Sequence, residues 1–153
     1  MPRERGETEH RRRLRRATRD DVGLLAGIAG GPEPGRVRAT RRILGSLASD
    51  VYVAVDGDGP PVGVVMVAYR RSLAHGGLVA EIDLLRCLAP LSLEGRREVE
   101  ALLLDGALHR ARRRGARAVS AAADGEGRDD LLARAGFDSV AGRRVLPLVV
   151  GDP

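Results

Sequence analysis

Three side chains in the run EIDLLRC, residues 81–87, are of types that do chemistry: the carboxylates of Glu81 and Asp83 and the thiol of Cys87, the chain's single cysteine. The apolar residues around them predict a strand over 78–88. The two-residue period of a strand would put Glu81, Asp83, Leu85 and Cys87 on one face. Acids on such a strand are costly unless they line a cleft or find partners. Arg70, Arg71 and Arg86 are near enough in sequence to be those partners. A lone cysteine on a strand is ordinarily a small buried hydrophobe, and a single one excludes an internal disulfide framework. His75 and His109 have no company at metal-ligand spacing, so no metal is expected. Neither a G-x-S-x-G elbow nor a Walker-type loop occurs, which removes the usual signatures of a serine hydrolase and of a P-loop nucleotide enzyme.

The chain that must position these groups has 153 residues, the length of one domain with a real core. Its apolar share of 43% is globular, and no apolar run approaches the roughly 20 residues of a membrane span. Charges stand in MPRERGETEHRRRLRR where a secretory signal would be apolar, and with one cysteine a reduced, cytoplasmic setting is expected. All 26 basic residues are arginine, and lysine, asparagine, glutamine and tryptophan are absent. Lysine and asparagine codons are A-rich, so base composition accounts for much of this bias. The net charge of +5 is therefore a weak argument for nucleic acid, and at 2% aromatic residues the stacking platforms of single-strand binders are missing.

Residues 1–12 lack periodicity and read as a disordered basic tail ahead of a single domain at 13–153. Leu14 to Ala17 predicts a short strand. Thr18 and Asp21 fit a capping box for a helix with Val22, Leu25 and Ile28 on its apolar face. After the loop GGPEPG, a second helix is expected from about Gly35 to Ala48, with Val37, Leu44, Leu47 and Ala48 on one side. VYVAV and PVGVVMVAYRR read as strands joined by the turn DGDGPP. Ser92 is a candidate N-cap for a long helix whose buried stripe is Val99, Leu103, Ala107, Leu108 and Ala111, ending at Gly115. A buried strand over Ala116 to Ala123, a short helix over Arg128 to Ala135, and a final hairpin of SVA and RVLPLVV complete the order. Pro147 marks an edge or a bulge.

That order, with RRATRDDVGLL, LLLDGALHRARRRGARAV and LLARAGF as its local signatures, resembles the GNAT superfamily of acyl-CoA-dependent N-acetyltransferases from about Leu14 to Val150. The resemblance implies an α/β fold (α+β): a mixed, mostly antiparallel sheet with helices on both faces. It implies acetyl-CoA as co-substrate and a small-molecule or protein amine as acceptor, with a homodimer as a further partner. Glu81 would deprotonate the amine, with Asp83 next in line, and Cys87 would lie near the thioester. Gly95, Arg96, Arg97 and Val99 would fall in the segment that meets the cofactor phosphates, and the backbone at Leu88 would stabilise the oxyanion.

Three family features are missing. The phosphate loop R/Q-x-x-G-x-G/A reads EGRREVEA, so that Glu98 and Glu100 take the two glycine positions; shifted by one residue, Val99 replaces a glycine. The tyrosine of the last helix is Leu132, and the asparagine near its start is absent from DGEGRDD. Two functions stand against each other on these grounds: an acyl-CoA-dependent N-acyltransferase, and a protein of the same fold that binds or regulates without catalysis. An arginine-rich nucleic-acid binder trails both.

Overall fold

The computed structural model describes residues 11–28, 30–31, 33–122, 127–140 and 142–148. Seven strands form one sheet, in the order β1 (Arg12–Arg16), β2 (Ser49–Asp56), β3 (Pro61–Ser72), β4 (Gly77–Cys87), β5 (Ala118–Ala121), β7 (Arg143–Pro147) and β6 (Asp138–Val140). Every pairing is antiparallel except that of β4 with β5. A 3-10 turn (Arg19–Asp21), α1 (Val22–Ile28) and α2 (Pro34–Gly45) lie on one side of the sheet, packing Leu25, Ile28 and Leu44 on Val51, Val53, Val55 and Val64. On the other side α3 (Leu93–Arg113) and α4 (Arg128–Arg134) bury Val99, Leu103, Ala107 and Leu132 against Val65, Val67, Ile82 and Val119. The expected mixed sheet with helices on both faces is what the chain forms. Among the described residues no helix is long and apolar enough to cross a membrane.

Residues that alternate along β1 track the length of α3. Arg12 reaches its first turns, donating to the Gly95 carbonyl at 3.4 Å and to Glu98 at 2.5 Å. Leu14 fills the space that Gly106 leaves open, where an added Cβ would come within 2.1 Å of the leucine. Arg16 approaches the buried Asp50 at 3.6 Å, beneath the helix's far end. Gly63 does for β3 what Gly106 does for β1: its missing side chain would meet Val99 at 2.6 Å, so α3 lies close on the sheet. Arg12 thus belongs to the folded sheet rather than to the basic tail, of which residues 1–10 lie outside the described residues.

Some local expectations shift. Pro34 opens α2 instead of breaking the chain, since its absent N–H is one that a helix start leaves unpaired anyway. The helix ends at Gly45, so Leu47 lies beyond it and is 85% exposed rather than on the buried face. The acid-bearing strand departs furthest. Met66 pairs with Leu84 and Val67 with Ile82, which leaves Asp83 as an extra residue bulged out of β4. A bulge swaps the faces of the residues beyond it. Ile82 and Leu85 therefore both join the α3 side, and Glu81 and Cys87 do not share a face.

Candidate active site

The parallel pairing of β4 with β5 ends at Ile82 and Ala121, although β4 runs on to Cys87. Between the parted strands is a cavity of about 280 Å³, walled by Asp83, Leu85, Arg86, Ala121, Arg128 and Leu132. A second, of about 360 Å³, adjoins it at Cys87, Pro90, Arg96, Glu100 and Arg128. A third, of about 980 Å³, runs between α3 and α4 past Arg97, Leu131 and Arg134. Arg96 lines all three, Glu100 the outer two and Arg128 the inner two, so the three adjoin one another along one cleft with shared walls.

The three candidate groups of β4 are separated by the bulge. Asp83 is exposed, lines the innermost cavity and has no ion pair among the described residues. Glu81 lies outside the cleft, held by Arg143 at 2.5 Å and by Arg70 at 3.9 Å. Arg70 was legible as a partner. Arg143 was not, because it comes from β7, 62 residues away. Cys87 lines the middle cavity, its Sγ 3.8 Å from the Arg96 carbonyl. Burial, and then the charge of Glu100, push its thiol above the usual range, so it stays protonated at neutral pH.

At the start of α3 the Ser92 hydroxyl accepts the Gly95 N–H at 3.0 Å, which occupies the one glycine amide of that turn. Val99 is wholly buried in the core, and the Leu88 N–H donates to the Val62 carbonyl at 2.8 Å. Neither presents a free group to the cleft. Arg96 is paired with Glu100 at 3.2 Å, whereas Arg97 has no acid partner among the described residues. Glu98 and Glu100 part company as well. Two residues on a helix are about 200° apart, and Glu98 turns to Arg12 while Glu100, 7% exposed, lines the cleft.

Sequence reasoning passed over Arg128. It stands one turn before Leu132, on the same side of α4. Its Nη2 donates to the Leu85 carbonyl on the unpaired edge of β4. Its Nε is buried with no hydrogen-bond partner, and no carboxylate lies within ion-pair distance among the described residues. The i, i+4 spacing from Leu132 was the available signal. Among the described residues no group of three or more acidic, histidine or cysteine side chains is arranged to hold a metal.

The sequence matches no family model and no curated protein. Solved structures resemble it over most of its length. A predicted acetyltransferase of Clostridium acetobutylicum with acetyl-CoA is 16% identical, with a TM-score of 0.68 over 86% of this chain and 92% of that one. AAC(6')-Iy in complex with the bisubstrate analogue CoA-S-monomethyl-acetylneamine is likewise 16% identical at 0.68, over 84% and 92%. A transcriptional regulator from Bacillus halodurans C-125 is 22% identical at 0.67, over 84% and 94%. Strand order, the parted parallel pair and these likenesses agree: the chain has the GNAT fold.

Proposed function

We propose that the protein transfers an acyl group from an acyl-CoA to an amine. The observation that carries this reading is the series of adjoining cavities from the α3–α4 groove to the parting of β4 from β5, in a fold whose solved neighbours include one with acetyl-CoA. The donor supplies a thioester, whose carbonyl carbon bonds to the amine nitrogen as its C–S bond breaks. The amine's proton needs an acceptor, and Asp83, exposed on the cleft and unpaired, is the carboxylate best placed to take it. Glu81 would have to be freed from Arg143 and Arg70 first. The protonated Cys87 thiol is the group that can hand a proton to the departing sulfur, in place of the phenol absent at Leu132. Arg97, with Arg96 once it is drawn from Glu100, meets the phosphates.

One further reading has its own support: a non-catalytic binding or regulatory protein. Arg128 occupies the β4 edge, Glu100 adds negative charge to the cleft, and Leu132 is 1% exposed in the core. Calorimetric titration with acetyl-CoA separates the two. Saturable binding followed by thiol release on adding amines supports the transferase; no heat with acetyl-CoA or CoA at millimolar concentration rejects it.

A further inference from the structure

Arg128 is a cation in an unfavourable place. Its guanidinium is part-buried, its sole acceptor among the described residues is a neutral carbonyl, and its Nε is buried and unpartnered. A desolvated charge without a counter-ion is costly, and a buried donor left unsatisfied adds to that cost. The cavity Arg128 enters carries the same imbalance. Among the described residues, Arg86, Arg96 and Arg128 line it against one carboxylate, Asp83, and Arg96 is already shared with Glu100 on its outer side.

We infer that the cavity between β4 and β5 binds a carboxylate carried by the acyl chain of the donor, with Arg128 as its partner, so that the substrate class is a dicarboxylic acyl-CoA. The inference rests on the acyltransferase reading. A carboxylate at this point gives the Arg128 guanidinium the anion it lacks among the described residues, through its terminal nitrogens, which can grip it in the two-pronged geometry that guanidinium offers. An acetyl group would leave the cation as it stands. The cavity, at about 280 Å³, has room for a short chain beyond the thioester carbon. Apolar side chains supply its floor, Ile82 and Leu85 from β4 and Leu132 from α4, so the chain's methylenes would be covered while its end meets the arginine.

The test is calorimetric titration of the full chain with acetyl-CoA and with succinyl-CoA, repeated on Arg128→Gln and Arg128→Lys. Wild type should bind succinyl-CoA at least about tenfold more tightly than acetyl-CoA, a difference of about 1.4 kcal/mol. Arg128→Gln should bring the ratio to about one, and Arg128→Lys, which keeps a charge without the fork, should retain part of it. Thermal midpoints of both variants establish that they fold; should Arg128→Gln fail to, the lysine variant carries the comparison. Equal affinities in wild type, or a ratio that survives Arg128→Gln, overturn the inference and leave the acyltransferase reading standing. Binding of neither thioester nor CoA overturns both. A preference that appears only for β-alanine over ethylamine, in the presence of CoA, assigns the carboxylate to the acceptor and overturns its assignment to the donor.

Discussion

At the C-terminal end of α3, Arg110 and Arg114 reach the buried Asp50 at 2.9 and 3.2 Å, with Arg16 behind at 3.6 Å. At its N-terminal end Arg96 holds Glu100 at 3.2 Å, while Arg128 from α4 has no acid at all among the described residues. The ingredients are alike and the electrostatics are not. A helix C-terminus favours cations, so Arg110 and Arg114 gain from the dipole as well as from the acid beneath them. Arg114 also stacks on Tyr69, 4.3 Å from the ring centre, and burial with the Asp50 charge holds that hydroxyl protonated. The N-terminus works against cations, yet that is where the cleft gathers them. The first cluster ties β1, β2 and α3 together through three ion pairs, although the Asp50 Oδ1 makes no hydrogen bond; in the second, Arg128 stands beside an open cavity with no ion pair among the described residues.

The largest expected effect comes from breaking the Asp50 cluster. Asp50→Ala should cost about 3 kcal/mol in urea unfolding, since the side chain is fully buried among three arginines, two of which can partly recover with water. A loss below about 1 kcal/mol would show that the cluster is not holding the helix. Opening the other end should act on binding instead. Glu100→Gln should tighten acetyl-CoA by about tenfold, whereas Glu98→Gln, whose carboxylate faces Arg12, should change it by less than about twofold. The reverse ranking would place the phosphates on the β1 side of α3. The same Glu100→Gln substitution should speed alkylation of Cys87 by iodoacetamide at pH 8, because a neighbour that raises the thiol's pKa is neutralised. An unchanged rate would separate Glu100 from the thiol.

Smaller effects test the supports of the two clusters. Arg12→Ala removes the pairs to Asp56 and Glu98 and should cost about 1 kcal/mol or less, because these pairs are partly exposed; thermal denaturation in low and high salt measures it. A cost above about 3 kcal/mol would mean that β1 depends on this residue for its place in the sheet. The smallest is an acid effect. The Arg15 guanidinium, and next the Thr18 N–H, hold the Asp21 carboxyl below the ordinary carboxylate range, against its burial. A depressed folded-state pKa contributes stability that is complete above the unfolded value near 4 and lost as pH falls through the folded one. Arg15→Met should therefore flatten the loss of stability below about pH 4. An unchanged slope would assign that acid sensitivity to other carboxylates.

Much of the frame was readable from residue patterns. The stripe Val99, Leu103, Ala107, Leu108 and Ala111 named the buried face of α3, and Ser92 and Gly115 marked its ends, because helix period and caps are local properties. Pro147 falls where β7 has lost β6 and keeps β5 alone as a neighbour, which is what a missing N–H allows. The faces of β4 were not readable. A strict two-residue period holds only while each residue has a partner, and the extra residue at Asp83 appears only when β3 and β4 are laid side by side. The arginine partners were likewise hidden: in a chain with 26 arginines, sequence offers no means of telling which one arrives from β7 to meet Glu81.

The sequence by itself determined the order and kind of the elements, the core stripe of α3 and the absence of glycine at 98–100 in its first turns, since each depends on neighbours within a few positions. The tertiary structure decided which charges meet. It turned Glu98 toward Arg12 and Glu100 toward the cleft, took Glu81 out of it and left Asp83 within, and set Arg128 against the free edge of β4. Such pairings depend on the packing of elements distant in the chain, and a charge is satisfied or orphaned only by what that packing brings beside it.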